Sequence, residues 1–252
     1  MDCGLAKAVP VWCLERVNRF FSPLCLFLWL LTEAAFAVGA APGPELQSAA
    51  SRRWEQDIAA LTERDARESH PADSVLFIGS SSIRLWQSIA SDIAPYHPIQ
   101  RGYGGAKFSD LAVFARRLIA PHRFQALVIF VSNDVTGSPE DASPDAVAGW
   151  FAYVVDVARE CQPDAAIFCL EVTPTPARWA AWPKIREVNR ALAAACAARP
   201  NVHFIPTAHA YLDADGQPQP DLFLDDRLHQ NDLGYRLWSA MIQSHLDAWL
   251  RP

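Results

Sequence analysis

The residues that could do chemistry lie at two places far apart in the chain. At the first, Ser80, Ser81 and Ser82 follow the short apolar run Val75–Ile78 and Gly79. A serine between a buried strand and a helix lies beside the free N–H groups of the helix start, so it is a candidate nucleophile with oxyanion donors nearby. The same position also suits a serine that only caps the helix. The serines alone leave both interpretations open.

The second place is the short loop Asp226-Arg-Leu-His229. An aspartate and a histidine three residues apart can place the carboxylate against the imidazole Nδ1–H, which leaves Nε2 free as a general base. The alternatives are a salt bridge that only caps the last helix, and Asp225 in place of Asp226 as the acid. The other histidines lack such a setting, and we expect them to be superficial or structural.

Between these places, short apolar runs alternate with segments of helical periodicity, which predicts one parallel sheet covered by helices on both faces. The predicted strands cover residues 75–78, 98–102, 126–131, 165–170 and 202–205. The predicted helices cover residues 53–68, 83–89, 107–119, 146–161, 183–199 and 233–250. Because ligands bind at the carboxyl ends of the strands in such a sheet, polar residues just after each strand are expected to converge.

Two of these strand ends offer candidate oxyanion donors. The second strand runs into Gly102, Gly104 and Gly105, and the third is followed by Asn133 and Asp134. Gly105 could expose its backbone N–H because no side chain blocks it, and the Asn133 amide could donate beside it. The alternatives are a tight glycine turn and a turn-forming asparagine. We interpret Asp134 as a helix-cap or turn residue.

The fourth strand is followed by Arg178, Trp179 and Trp182, which are candidates for the pocket wall. Packing is an equally good interpretation of the two tryptophans. We expect Arg101 and Lys107 to be solvated. No acid follows the glycine cluster at the spacing of a dinucleotide site, and no Cys/His cluster has zinc-ligand spacing. The sequence therefore predicts neither cofactor nor metal.

The composition and charge of the chain indicate its class and argue against some partners. Of 252 residues, 51% are hydrophobic and 20% are charged, which is typical of a globular protein. The net charge is −6 and no run of basic residues stands out, which argues against nucleic acid as a partner. Residues 51–252 are predicted to form one domain without an internal repeat.

The N-terminus has the pattern of a secretory signal peptide over residues 1–37. Two arginines precede the apolar stretch Phe20–Leu31, and Ala35-Phe-Ala37 has the small-residue cleavage pattern. Residues 38–50 are predicted to be a flexible leader. We expect a secreted or periplasmic protein with no stable membrane partner after cleavage; an uncleaved anchor is the alternative.

Three cysteines follow that segment, at positions 161, 169 and 196. An odd number in an exported protein allows at most one internal disulfide and leaves one thiol over. Cys169 lies in an apolar strand and Cys196 in an alanine-rich helix, so buried and unpaired thiols are expected.

Four blocks of the sequence, in order, resemble those of the SGNH, or GDSL-like, hydrolase superfamily, which are named for Ser, Gly, Asn and His. They are Phe77-Ile-Gly-Ser-Ser81, Arg101-Gly-Tyr-Gly-Gly105, Ser132-Asn-Asp134 and Asp226-Arg-Leu-His229-Gln-Asn-Asp-Leu-Gly-Tyr235. The resemblance covers roughly residues 74–250. It departs from the family pattern at Ser80, where Asp is usual, and at Val131, where Gly is usual.

The resemblance implies a flavodoxin-like, three-layer α/β/α sandwich with a five-stranded parallel sheet, and ester hydrolysis through an acyl-enzyme without cofactor or metal. Ser81 would be the nucleophile, His229 the base and Asp226 the orienting acid. The backbone N–H groups of Ser81 and Gly105 and the Asn133 amide would hold the oxyanion. Spacing from Gly79 selects Ser81, and Ser80 and Ser82 remain its rivals.

The expected partner is a small-molecule ester. We favour a short acyl group on a polar or carbohydrate-like carrier, because the mature chain shows no obvious apolar lid. The same triad also serves lysophospholipases and thioesterases of the family. A secreted binding module without turnover is a further alternative, which Ser80 alone favours.

Overall fold

The sheet has five strands, all parallel, in the order β2-β1-β3-β4-β5. The computed structural model describes Gly39 and residues 41–251, so the predicted signal peptide lies outside the described residues. The strands are β1 (Val75–Gly79), β2 (Pro98–Gly102), β3 (Ala126–Phe130), β4 (Ala166–Leu170) and β5 (Val202–Ile205). The helices are α1 (Pro44–Asp65), α2 (Ser81–Arg84), α3 (Ile89–Asp92), α4 (Phe108–Ile119), α5 (Pro144–Cys161), α6 (Trp182–Ala197) and α7 (Asp232–Leu250). This strand order is that of flavodoxin-like folds, so the predicted fold class is confirmed.

The three central strands, β1, β3 and β4, are buried at every residue, as expected for strands that helices cover on both faces. One apolar core lies between the sheet and α1, α4, α5 and α6. A second lies between the other face and α2, α3 and α7. The strands are paired in register, so that Gly79 lies beside Gly102 on one side and Phe130 on the other. The carboxyl ends of β1, β2 and β3 therefore meet.

The first helix begins earlier than predicted. Residues 44–50, expected in a flexible leader, form the first turns of α1, so that prediction was wrong for this stretch. Pro44 is compatible with the first helical position because it needs no N–H partner and its φ is already helical. Ala50, Trp54 and Ile58 share the buried face of the helix. Packing of this face thus extends the helix toward the N-terminus.

The helix predicted for residues 83–89 is instead two single turns, α2 and α3. The side-chain amide of Gln100 donates to the carbonyls of Ile83 at 2.6 Å and Trp86 at 2.9 Å. In a continuous helix, these carbonyls would accept backbone N–H groups four residues later; here the Gln100 amide binds them instead. The Trp86 indole N–H donates to Asp92 at 2.7 Å, which fixes the turn between α2 and α3.

Arg101 is fully buried, so the prediction that it is solvated was wrong. Its Nε donates to Asp65 at 2.6 Å and its NH2 group donates to Glu68 at 2.7 Å. Asp65 is the last residue of α1 and Glu68 lies three residues beyond it, so this pair of bonds docks the C-terminal end of α1 against the edge strand β2. Lys107, also expected to be solvated, is half-buried immediately before α4.

Cys161, Cys169 and Cys196 form no disulfide among the described residues, and the last two are buried, as predicted. Within residues 41–251, no helix is both long enough and apolar enough to cross a membrane.

Candidate active site

The turn that presents Ser81 requires glycine at the end of β1. Gly79 has φ +142°, and a Cβ there would lie 1.9 Å from the carbonyl oxygen of Phe130. Only glycine tolerates both the dihedral and the close approach. The next residue, Ser80, donates its N–H to the same carbonyl at 3.0 Å, and α2 begins at Ser81. The chain therefore leaves the sheet abruptly, with Ser81 at the carboxyl edge.

His229 lies between Ser81 and Asp226. Its Nε2 is 2.9 Å from the Ser81 Oγ, and its Nδ1 is 2.6 Å from Oδ2 of Asp226. The other Asp226 oxygen accepts the backbone N–H groups of Leu228 and His229, each at 2.9 Å. Desolvation raises the pKa of Asp226, but the hydrogen bonds from His229 and Leu228 outweigh it and hold that pKa below its usual value. The carboxylate is therefore ionised where it faces the imidazole.

The loop that carries His229 is held at both ends. Arg227 has φ +55°, the left-handed conformation, and its carbonyl accepts the N–H of Ala177 at 3.1 Å. After the histidine, Asn231 caps α7 by accepting the N–H groups of Leu233 at 2.9 Å and Gly234 at 3.1 Å. These bonds fix the approach of the imidazole to the serine.

The structure separates the three serines. Ser80 is fully buried and its hydroxyl has no hydrogen-bond partner in the described part of the chain. Ser82 lies in the same pocket wall as Ser81, but only the Ser81 hydroxyl is within hydrogen-bond distance of His229. Asp225 is exposed, and the only carboxylate at His229 among the described residues is that of Asp226.

Gly105 and Asn133 are brought together beside this site. A Cβ added to Gly105 would lie 3.9 Å from the Asn133 Nδ2. That amide donates to the carbonyl of Ala106 at 3.0 Å, and its second N–H remains for a ligand. The Asn133 Oδ1 accepts from Arg178 at 2.6 Å. Among the described residues, the backbone N–H groups of Ser81 and Gly105 have no protein acceptor, so they remain available to an oxyanion.

Asp134 follows the candidate oxyanion donor Asn133 and caps α4, as the sequence suggested. Its carboxylate accepts the N–H of Phe108 at 3.0 and 3.1 Å, one distance to each oxygen. Burial raises the pKa of Asp134 to about 7, although the Phe108 N–H and Lys107 act in the opposite direction. The bond joins the end of β3 to the helix that follows Gly105.

The pocket at Ser81 and His229 has a cavity volume of about 20 Å³. Arg178 lies in its wall, as predicted. Trp179 does not: it lines a separate open groove of about 650 Å³, together with Trp182, so the prediction for Trp179 was wrong. The two indoles are nearly parallel with centroids 6.1 Å apart, because they pack on each other where α6 begins.

The sequence reasoning missed other residues that line the pocket. Thr173, Thr175 and Gln230 contribute polar groups, and Phe223 and Leu228 contribute apolar surface. The threonines belong to the run Thr173-Pro-Thr-Pro176 that follows β4, and their position after a strand was the signal that could have marked them. Within residues 41–251, no three His, Cys, Asp or Glu side chains are arranged to hold a metal ion.

A family model for GDSL-like Lipase/Acylhydrolase proteins matches residues 73–237, which is more than half of the chain. The chain therefore belongs to the GDSL-like lipase/acylhydrolase family, and the resemblance found in the sequence is confirmed. No curated protein sequence matches it significantly.

Several solved structures share the fold. A GDSL-like lipase from Bacteroides thetaiotaomicron has 18% identity and a TM-score of 0.64, over 76% of this chain and 98% of that one. A lipase/acylhydrolase from Enterococcus faecalis has 17% identity and a TM-score of 0.57, over 70% and 96%. A carbohydrate esterase family 3 protein from Talaromyces cellulolyticus has 16% identity and a TM-score of 0.55, over 71% and 98%.

Proposed function

We propose that this protein is a serine esterase that hydrolyses a carboxylic ester with a short acyl group through an acyl-enzyme intermediate. The observation that carries the proposal is the continuous contact from Asp226 through His229 to Ser81, with atom separations of 2.6 and 2.9 Å. These separations are within the hydrogen-bond reach that a nucleophile and its base need.

In the proposed reaction, the Ser81 Oγ attacks the acyl carbonyl carbon while His229 Nε2 takes the hydroxyl proton. The imidazolium donates that proton to the leaving alcohol as the tetrahedral intermediate collapses to the acyl-enzyme. Water then attacks the acyl-enzyme while His229 takes a proton from it. As this second tetrahedral intermediate collapses, the acid is released and His229 returns the proton to the Ser81 Oγ. Asp226 holds the imidazole tautomer and stabilises its charge throughout. The N–H groups of Ser81 and Gly105 and the Asn133 amide receive the negative oxygen.

The size of the pocket supports a short acyl group. A cavity of about 20 Å³ accommodates little more than one water-sized group, since a water needs roughly 10–15 Å³ on this measure. A long acyl chain would have to lie on the surface outside the pocket. The lining combines apolar side chains such as Phe223 with polar ones, and the polar groups, which include Thr173 and Arg178, are able to form hydrogen bonds with a polar carrier.

The test uses purified protein and p-nitrophenyl esters with acyl groups from acetyl to decanoyl. We expect the highest kcat/KM with the acetyl ester and a decline as the acyl group lengthens, and loss of more than about 10⁴-fold in kcat for Ser81→Ala. Ser82→Ala should retain most of the activity. A fluorophosphonate should label Ser81 stoichiometrically.

Wild-type-like turnover by Ser81→Ala, or fluorophosphonate labelling of Ser82, would contradict the nucleophile assignment. An optimum at long acyl chains would support the lysophospholipase alternative. Failure of the wild-type protein to react with the fluorophosphonate would favour a binding module without turnover.

A further inference from the structure

Arg178 forms a hydrogen bond with Asn133, the asparagine that we propose as an oxyanion donor. Its NH2 group donates to the Asn133 Oδ1 at 2.6 Å, and its NH1 group donates to the carbonyl of the preceding residue, Ser132. One planar guanidinium thus holds both the side chain and the backbone at the end of β3. Because Oδ1 is bound by the arginine, the orientation of the amide is fixed, and the Nδ2 hydrogens are directed to the opposite side.

The arginine reaches this position because its backbone departs from the turn around it. Arg178 lies in the 3₁₀ segment Pro176–Ala181, but its φ of −117° and ψ of 16° are not helical. The neighbouring residues point elsewhere: Trp179 lines the adjacent groove, and the Ala177 N–H donates to Arg227 in the histidine loop. The segment therefore contacts two parts of the site. Arg178 binds Ser132 and Asn133 after β3, and Ala177 binds the loop that carries His229.

The guanidinium of Arg178 is shared between this amide and the Ser132 carbonyl. Within the described part of the chain, it forms no ion pair within 4 Å; Asp134 and Asp141 act on it only at longer range. Desolvation lowers the pKa of Arg178, although the guanidinium remains charged. A cation that donates to Oδ1 polarises the amide, which makes each Nδ2–H a stronger donor.

We propose that Arg178 is a positioning residue that acts through Asn133, because it orients and polarises the Asn133 amide. Its segment also connects Ser132 and Asn133 to the loop that carries His229. This inference rests on the proposed esterase function.

The test is a double-mutant cycle with a neutral short ester and a carboxylate-bearing short ester as substrates. The variants are Arg178→Ala, Arg178→Lys, Asn133→Ala and the double variant, with Arg186→Ala as a control. Arg186 is an exposed cation on α6 that lines the adjacent groove, so its loss tests the general effect of removing a charge nearby. Melting temperatures report on folding.

We expect Arg178→Ala to lower kcat by about 10- to 100-fold with KM changed less than about twofold, because it misplaces a group used in the transition state. Arg178→Lys should recover only part of the rate, since lysine is a point charge and cannot hold both oxygens in one plane. Asn133→Ala should lower kcat by roughly 10²- to 10³-fold. The double variant should resemble Asn133→Ala alone, because both changes remove the same donor. Arg186→Ala should behave like the wild type.

Three results would overturn the inference. These are wild-type kcat in Arg178→Ala, rate losses that multiply in the double variant, and a rise in KM confined to the carboxylate-bearing ester. The last would show that Arg178 binds substrate directly. If Arg178→Ala does not fold, the same cycle with Arg178→Lys decides the question.

A readout without turnover separates this inference from the proposed function. The Asn133 side-chain ¹⁵N–¹H pair can be assigned by its disappearance in Asn133→Ala. It should shift in Arg178→Ala and Arg178→Lys but not in Arg186→Ala. An unchanged amide signal would refute the contact even if the esterase activity is confirmed, and a shifted one would support it even if the ester panel fails.

Discussion

The carboxylate of Asp226 lies 2.6 Å from the Nδ1 atom of His229, although the aspartate side chain is 46% exposed and the histidine only 22%. The Asp226 side chain is held by hydrogen bonds within the loop rather than by burial, because its Oδ1 atom accepts two backbone N–H groups of the same loop. The aspartate thus orders the loop and selects the imidazole tautomer that leaves Nε2 free.

Asp226→Asn should preserve the loop and remove most of the activity. An asparagine oxygen can still accept the N–H groups of Leu228 and His229, but its amide would face Nδ1 as a donor and favour the wrong tautomer. Such a change costs about 10⁴-fold in kcat in serine hydrolases with a buried aspartate. We expect a loss of about 10²- to 10⁴-fold here, measured as kcat on p-nitrophenyl acetate.

Asp225→Asn is the matched control, because it removes the neighbouring carboxylate, which has no contact with His229 among the described residues. It should retain kcat within about twofold. The reverse pattern, with activity lost at position 225 and kept at position 226, would return the acid role to Asp225.

Much of the fold followed from local patterns. The strands were predictable because β1, β3 and β4 are short, uninterrupted apolar runs, and such runs need cover on both faces. The candidate site followed from the same runs, since parallel strands end at one edge and bring Ser81, Gly105 and Asn133 to it. Asp226 and His229 were predictable as a pair because they are only three residues apart.

The features that the sequence did not predict depend on contacts between residues that are far apart in the chain. The burial of Arg101 follows from acids 36 and 33 residues earlier, which no local pattern connects to it. Whether Arg178 or Trp179 faces the pocket depends on one non-helical residue within a 3₁₀ turn. The early start of α1 comes from the packing of its apolar face in the core that it shares with α4. The choice among the serines needed the path of the chain after Gly79.

Arg101→Ala should strongly destabilise the protein. The arginine is fully buried, and its removal leaves Asp65, which is 9% exposed, as a charge without its main partner. Breaking a buried pair in this way typically costs about 3–5 kcal/mol. We expect a loss of that size in the free energy of unfolding, measured by urea denaturation at pH 7.

Arg117→Ala provides the comparison, since it breaks an exposed pair with Glu55 at the surface of α1 and α4. Exposed pairs contribute at most about 1 kcal/mol. Equal losses in the two variants would mean that the Arg101 bonds do not hold α1 on the sheet in solution.

Asp134 should make stability depend on pH. Burial raises its pKa in the folded protein to about 7, against an ordinary value of 3.8, despite the opposing Phe108 N–H and Lys107, and Asp110 adds to the increase. Between these two values the folded protein holds a proton that the unfolded chain has released. The contribution of this group to stability is therefore full below about pH 4 and falls as pH rises to about 7, with a slope of up to about 1.4 kcal/mol per pH unit.

Asp134→Asn should remove this dependence, because an asparagine resembles the neutral acid and its oxygen can still accept the Phe108 N–H. The measurement is the free energy of urea unfolding of both proteins at several values between pH 4.5 and 7.5. The other titrating groups are common to both, so the difference between the two curves isolates position 134. We expect the stability of the variant relative to the wild type to rise steadily over this range and to level off above about pH 7. A constant difference across the range would mean that Asp134 titrates in the folded protein as it does in the unfolded chain, and that its bond to α4 overcomes the cost of burying its charge.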